Sequence, residues 1–145
     1  MKISTKARYG LRIMLELAHY YSKGPVFLKD IAKRQQISEK YLEHILSSLR
    51  IKGFVKSLRG AKGGYVLNQH PKDIKVSEII YTTEGSLSLV ECIENPKVCS
   101  RYAFCITKEV WQGMKDSMEK YVDGITLQDL VEKERLSRFK SMYNI

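Results

Sequence analysis

The stretch that most constrains this chain is residues 28–67, where two helical patterns joined by a turn run straight into a glycine-rich hairpin pattern. Leu28, Ile31 and Ala32 share one side of a short helix predicted over residues 28–34. A turn at 35–37 then leads to Ser38, whose hydroxyl suits an N-cap. Tyr41, Leu42, Ile45, Leu46 and Leu49 recur at helical spacing and leave Lys40, Glu43, His44, Ser47 and Arg50 outward, until Gly53 closes the helix. Next, the runs 54–59 and 64–67 flank Gly60-Ala61-Lys62-Gly63 and read as a β-hairpin. Its tip combines Gly60, Gly63 and Gly64, which allow positive φ and close backbone approach, with the cations Arg59 and Lys62. Ordinary hairpin turns rarely need three glycines and two cations together. A helix-turn-helix followed by a basic hairpin tip is the pattern of a winged helix. The tip lacks the spacing and the Gly-Lys-Ser/Thr of a phosphate-binding P-loop.

Charge is distributed to match. Residues 1–68 hold 14 Lys and Arg against 4 Asp and Glu, whereas residues 69–145 hold 11 against 12. The whole excess of the +9 chain therefore lies in the front half, which is expected to seek a polyanion because each cation that meets a phosphate releases condensed counterions. Residues 1–18 mimic a signal peptide, but Arg12 and Glu16 interrupt the apolar run and no small-residue cleavage site follows. No later stretch is apolar for long enough to span a bilayer, so a cytoplasmic protein without membrane contact is expected.

Ahead of this unit, Thr5 is predicted to cap a helix carrying Leu11, Met14, Leu15, Ala18 and Tyr21, ended by Gly24-Pro25. Beyond it, residues 76–81 read as a short helix and 82–86 as a turn. Thr107 is expected to cap a longer helix in which Val110, Met114, Met118 or Ser117, Tyr121 and Ile125 alternate three and four apart. Such a seam can pack on its own domain or build a two-fold dimer, the usual role of a protruding helix on a DNA-binding module. A final helix from Thr126 carries Leu127, Leu130 and Val131, and the tail with Phe139, Met142, Tyr143 and Ile145 is expected to dock on the core. The expected organisation is a winged-helix domain at 1–82, a cysteine loop at 83–106, and a dimerisation helix with a docking segment at 107–145. The fold class is mainly α with a small β-hairpin wing and a long C-terminal dimerisation helix.

The three cysteines, Cys92, Cys99 and Cys105, fall within fourteen residues. Cys99 sits in the polar run Pro96-Lys97-Val98-Cys99-Ser100-Arg101, unlike a core position. In a reducing compartment such a group reads as a metal cluster, a thiol switch or inert cysteines. Lys97, Arg101 and Lys108 would favour thiolates, the ligands of iron-sulfur clusters. Structural zinc is less suited, because it needs a fourth sulfur or nitrogen and His19, His44 and His70 all precede the loop without ligand spacing. No catalytic motif, nucleotide fingerprint or paired acid and base appears, so an enzyme is not expected.

The opening run Met1-Lys2-Ile3-Ser4-Thr5-Lys6-Ala7-Arg8-Tyr9-Gly10, the helix segment Ile37-Ser38-Glu39-Lys40-Tyr41-Leu42-Glu43 and the wing from Val55 to Tyr65 resemble the Rrf-two family of bacterial winged-helix regulators. The resemblance covers essentially the whole chain. It implies a homodimer on double-stranded DNA, with the helix after Ser38 in the major groove and the wing along the neighbouring minor groove or phosphates. Ser38, Lys40, Tyr41, Glu43, His44 and Arg50 would then face DNA on the helix, and Arg59, Gly60 and Lys62 on the wing.

The cysteine triad resembles that of the family's cluster-binding members, which implies an iron-sulfur cluster on Cys92, Cys99 and Cys105, [4Fe-4S] in preference to [2Fe-2S]. Other members lack the triad, and the alternative is a cluster-free regulator sensing through a small thiol or a protein partner. The fourth ligand does not carry over. Some members supply it as a histidine three residues after the last cysteine, which here is Lys108. Others use a partner-subunit carboxylate near the start of the first helix, which here is Arg8. Glu91, Glu109, a partner's Glu16 or His19, or an exogenous thiol or water remain as candidates.

Overall fold

The computed structural model describes residues 2–144, so Ile145 of the expected docking tail lies outside the described residues. The elements run α1 (Thr5–His19), α2 (Leu28–Gln35), α3 (Glu39–Ile51), β1 (Val55–Leu58), β2 (Gly64–Leu67), α4 (Val76–Thr83), a loop of single turns, α6 (Lys108–Asp123) and α7 (Leu127–Tyr143), where α5 (Glu91–Glu94) is the first of those turns. Helices α1, α2 and α3 close on one apolar core. Ile13, Met14 and Leu17 of α1, Ile31 of α2, and Leu42, Ile45, Leu46 and Leu49 of α3 are essentially inaccessible to solvent. The helical spacing read from the sequence is thus the face that packs, because burial of these side chains stabilises the fold by about 1.5–3 kcal/mol each.

Helix α1 starts one residue earlier than expected. Ser4, not Thr5, is the cap: its hydroxyl accepts from the Ala7 amide at 3.0 Å. The Ser4 amide donates in turn to Glu84 Oε2 at 2.8 Å, a contact eighty residues distant in sequence that selects between two adjacent hydroxyl residues. The helix also ends earlier, at His19, so Gly24-Pro25 lies in the following loop. Gly10 lets α1 and α4 approach closely, since a Cβ there would lie 2.7 Å from Thr83 Cγ2.

Strands β1 and β2 pair antiparallel in the register Val55↔Leu67 to Leu58↔Gly64. Val26 adds a one-residue third strand, donating to the Tyr65 carbonyl at 2.9 Å and accepting from the Tyr65 amide at 2.8 Å. Gly64 makes this possible. Its φ is +144°, and a Cβ there would stand 2.5 Å from the Val26 carbonyl oxygen. Gly64→Ala is therefore expected to destabilise the protein by about 2 kcal/mol or more. A calorimetric melting midpoint within a degree of wild type would contradict that assignment.

After α6 the chain returns to the core. The Val76 amide donates to the Ile125 carbonyl at 2.9 Å and the Leu127 amide to the Ile74 carbonyl at 2.8 Å, seating Leu127 with no exposure at all. Leu130 and Val131 pack on the same cluster. Docking of the final helix stops there, which corrects the expectation for the tail. Leu136, Phe139, Met142 and Tyr143 are all more than half exposed, because α7 runs on past the edge of the core. No described helix is long and apolar enough to cross a membrane.

Candidate nucleic-acid interface and cysteine loop

Ser38 caps α3, its hydroxyl accepting from the Tyr41 amide at 3.1 Å, so the helix begins where the sequence places it. With Leu42, Ile45, Leu46 and Leu49 turned inward, Ser38, Lys40, Glu43, His44 and Arg50 are exposed on the other side. Tyr41 is half-buried and meets the Tyr9 ring edge-on at 6.3 Å between centroids. The Phe54 amide donates to the Leu49 carbonyl at 3.1 Å and leads the chain directly from α3 into β1, fixing the wing beside the helix.

At the tip the Gly63 amide donates to the Gly60 carbonyl at 2.9 Å, and Gly60 adopts φ +105°. Arg59, Gly60 and Lys62 are exposed there. Glu43, Ser47 and Arg50 of α3 and Tyr65 of β2 line a shallow depression of about 280 Å³ between helix and wing. Tyr65 escaped the sequence reading. Strand alternation marks it as opposite in facing to Val66, but only the packing of the hairpin against α3 places it beside Glu43 and Arg50. Lys40, Arg50, Arg59 and Lys62 have no carboxylate partner among the described residues, so their charge is free to meet an external anion.

The cysteine loop is a chain of single turns. Cys92 lies in α5, while Cys99 and Cys105 end the 3-10 turns Pro96–Val98 and Tyr102–Phe104. All three are free thiols and half-buried. Around Cys105 the apolar side chains point to solvent, Phe104 being 90% and Ile106 76% exposed, so the loop is not held by a core of its own. It is tied down at its ends, by Lys115 Nζ to Glu94 at 2.7 Å and by Lys108 Nζ to the Tyr102 carbonyl at 2.7 Å. A hydrogen bond with the Thr107 hydroxyl at 3.2 Å, helped by the Lys108 amide, holds the Cys105 thiol below the usual thiol range. Thr107 thus serves the cysteine and does not cap α6 through its side chain.

The donor set suits iron, which takes thiolates, and the loop's exposed side chains leave it room to close around a cluster. Among the described residues, however, no three His, Cys, Asp or Glu side chains stand together in reach of one metal ion. Lys108, three residues after the last cysteine, is occupied: its ammonium serves the Tyr102 carbonyl and lies 4.2 Å from the centre of the Tyr102 ring. Glu16 and His19 are also engaged within the chain, Glu16 with Arg34 and Gln35 and His19 with Glu134. Arg8 is exposed on α1.

Helix, turn, recognition-type helix and basic wing on one face define a DNA-binding regulator of the winged-helix class. The profile of the Rrf2 family, described as "Iron-dependent Transcriptional regulator", matches residues 3–133. The chain belongs to the Rrf2 family of transcriptional regulators. It is 46% identical to the HTH-type transcriptional regulator CymR of Bacillus subtilis strain 168 over 130 residues, covering 90% of this chain and 89% of the relative. The solved structure of CymR, the global cysteine regulator of B. subtilis, superposes with a TM-score of 0.77 at 44% identity, over 92% of this chain and 98% of that one. That of T. potens IscR gives 0.76 at 45% identity, over 92% and 88%. These relatives are regulators, and this chain is not an enzyme.

Proposed function

We propose that this chain acts as a homodimer on a near-palindromic operator, with α3 in the major groove and the Arg59–Gly63 tip of the wing on the flanking backbone or minor groove. The observation that carries the reading is the set of exposed cations Lys40 and Arg50 on α3 and Arg59 and Lys62 on the wing, which have no carboxylate partner among the described residues. Dimerisation is assigned to α6. It buries none of its sixteen residues and turns Val110, Trp111, Met114 and Tyr121 to solvent, an apolar face that one protomer leaves uncovered. Binding of the purified protein to duplexes selected from a random pool tests this. Half-site centres about 34 Å apart, or a multiple, and affinity falling steeply with salt are expected. Salt-insensitive binding, or none, would overturn it.

Within α3, Ser38, Lys40, Tyr41, Glu43, His44 and Arg50 are assigned to the DNA, with Glu43 as the selective residue. A carboxylate on DNA is repelled by phosphates everywhere and gains only where a base donates, as cytosine N4 does. Glu43→Ala is expected to bind wrong sites about tenfold better relative to the right one, a shift of roughly 1–3 kcal/mol per position in discrimination. Equal discrimination by wild type and variant across a base-substituted operator series would refute this.

The signal is assigned to the cysteine loop, in the form of an iron-sulfur cluster held by Cys92, Cys99 and Cys105. The support is three free, half-buried thiols on one loop among the cations Lys97, Arg101 and Lys108, together with likeness to a regulator named IscR. A second reading, thiol sensing without a cluster, is favoured by the hydrogen bond between the Cys105 thiol and the Thr107 hydroxyl at 3.2 Å, which favours the thiolate. Likeness to a regulator named for cysteine agrees with it. Absorption of anaerobically purified protein separates the two. Either form acts in the cytoplasm, where bacterial DNA lies.

A further inference from the structure

Helix α6 has no buried residue, so little apolar packing within the protomer fixes its position. It touches the rest of the chain mainly at α4 and α5, and polar ties hold it there. Ser77 of α4, itself buried, donates to Asp123 at the end of α6. In the middle of the helix Lys115 reaches Glu94 of α5 at 2.7 Å.

Lys115 is the branch point of these ties. Its side chain is only 19% exposed and stands between two carboxylates, Glu94 at 2.7 Å and Glu119 of its own helix at 3.7 Å. Glu94 also accepts from the Ser86 hydroxyl at 2.6 Å, while Glu119 neighbours the Tyr81 hydroxyl of α4. A largely covered ammonium that loses one carboxylate is driven to the other, because a charge taken from water needs a partner. Lys115 therefore has two discrete settings, the kind of element that transmission between distant sites requires.

Glu94 and Cys92 share the single turn α5. That turn has no buried residue and no side-chain cap at its start, and its bond from the Asn95 amide to the Glu91 carbonyl, at 2.9 Å, spans both residues. Displacement of Cys92 is thus expected to carry Glu94 with it.

Taking the cysteine loop as the seat of the signal, we propose that Lys115 is a positioning residue that couples this loop to the winged-helix domain. When Cys92 is ligated or capped, α5 draws Glu94 away, Lys115 turns to Glu119, and α6 resets against α4. Because α4 packs on α1 and α3, a new setting of α6 changes where a dimer holds its two α3 helices, and operator affinity with it.

The test uses the full-length protein with Cys99→Ser and Cys105→Ser, which leaves Cys92 as its one thiol, free or blocked with N-ethylmaleimide. Blocking is expected to change amide hydrogen exchange in α4 and α6, and operator Kd, by about fivefold or more. Lys115→Met should abolish both responses, and Lys115→Arg, which keeps the cation, should retain them. Glu94→Gln should give the exchange pattern of the blocked protein without any blocking. A thermal scan verifies that each variant folds. A response of equal size in the parent and in Lys115→Met overturns the role of Lys115 and leaves the loop as the seat of the signal. A response lost in Lys115→Arg as well overturns it too, since the charge would not be what matters. No response to blocking in the parent removes the signal from the loop, and the coupling with it. An exchange response in a protein that binds no operator supports the coupling and sinks the DNA reading alone.

Discussion

Replacing Arg59 with alanine is expected to weaken operator binding by about 100-fold or more near physiological salt. Arg59 follows directly on β1, is exposed, and has no carboxylate partner among the described residues. Nothing in the fold is lost when it is cut back. A charge-assisted hydrogen bond to phosphate contributes about 1.5–3 kcal/mol, and a two-fold dimer loses two of them at once. The same substitution should make the dependence of log K on log salt shallower by about 2, since each released counterion contributes about 0.9. Affinity and salt slope both unchanged in Arg59→Ala would remove the wing from the interface. Loss of affinity with an unchanged slope would mean that Arg59 reads a base edge or a groove shape, not a phosphate.

How far the DNA face could be read from sequence depends on the range of the interactions that set it. Ser38, the apolar stripe from Leu42 to Leu49 and the glycines of the tip are specified by local chemistry, namely capping, helical periodicity and positive φ. Each is legible within a few residues. Ser4 as the cap of α1 is backed by Glu84, and the place of Tyr65 beside Glu43 and Arg50 is set in a hairpin that Val26 pairs with. Neither pairing leaves a trace in the local pattern. Glu16 is the sharper case. In sequence it is a charge that interrupts an apolar run, and in the fold it is a buried anchor for Arg34 and Gln35, eighteen and nineteen residues away. The tail of α7 misleads in the other direction. Phe139, Met142 and Tyr143 carry the composition of a docking segment, but whether they dock depends on where the core ends, and it ends near Leu130 and Val131.

The cysteine loop was legible in its chemistry and not in its geometry. Three thiols within fourteen residues announce themselves, whereas the single turns that carry them are set by Pro96, by the tie from Lys115 to Glu94 and by the tie from Lys108 to Tyr102. Between those ties the chain is held only by the short-range hydrogen bonds of its turns, such as Val98 to Asn95 and Tyr102 to Cys99. A segment with local bonds and no core of its own suits a site whose binding free energy also orders the chain.

Single replacement of Cys92, Cys99 or Cys105 with alanine is accordingly expected to abolish retention of iron and sulfide by anaerobically reconstituted protein, an all-or-none effect. Three thiolates leave one iron of a [4Fe-4S] cluster without a cysteine, so removing any one leaves two, too few to hold it. The fourth position is expected to be weak or supplied from outside the chain. The Lys108 side chain is engaged by the Tyr102 carbonyl and ring, and an ammonium has no free lone pair; the guanidinium of Arg8 has none to give either. Wild-type protein should therefore lose its cluster rapidly in air and change its absorption on addition of a small thiol. Lys108→His offers an imidazole, a nitrogen ligand, three residues after Cys105 and should lengthen the cluster's lifetime in air by about tenfold or more, since even residues that only support a ligand change metal affinity by about 10–100-fold. Iron and sulfide bound equally well after all three cysteines are replaced would disprove the assignment. So would wild-type protein that binds neither, which would leave the free thiols of the loop as the signal-bearing groups.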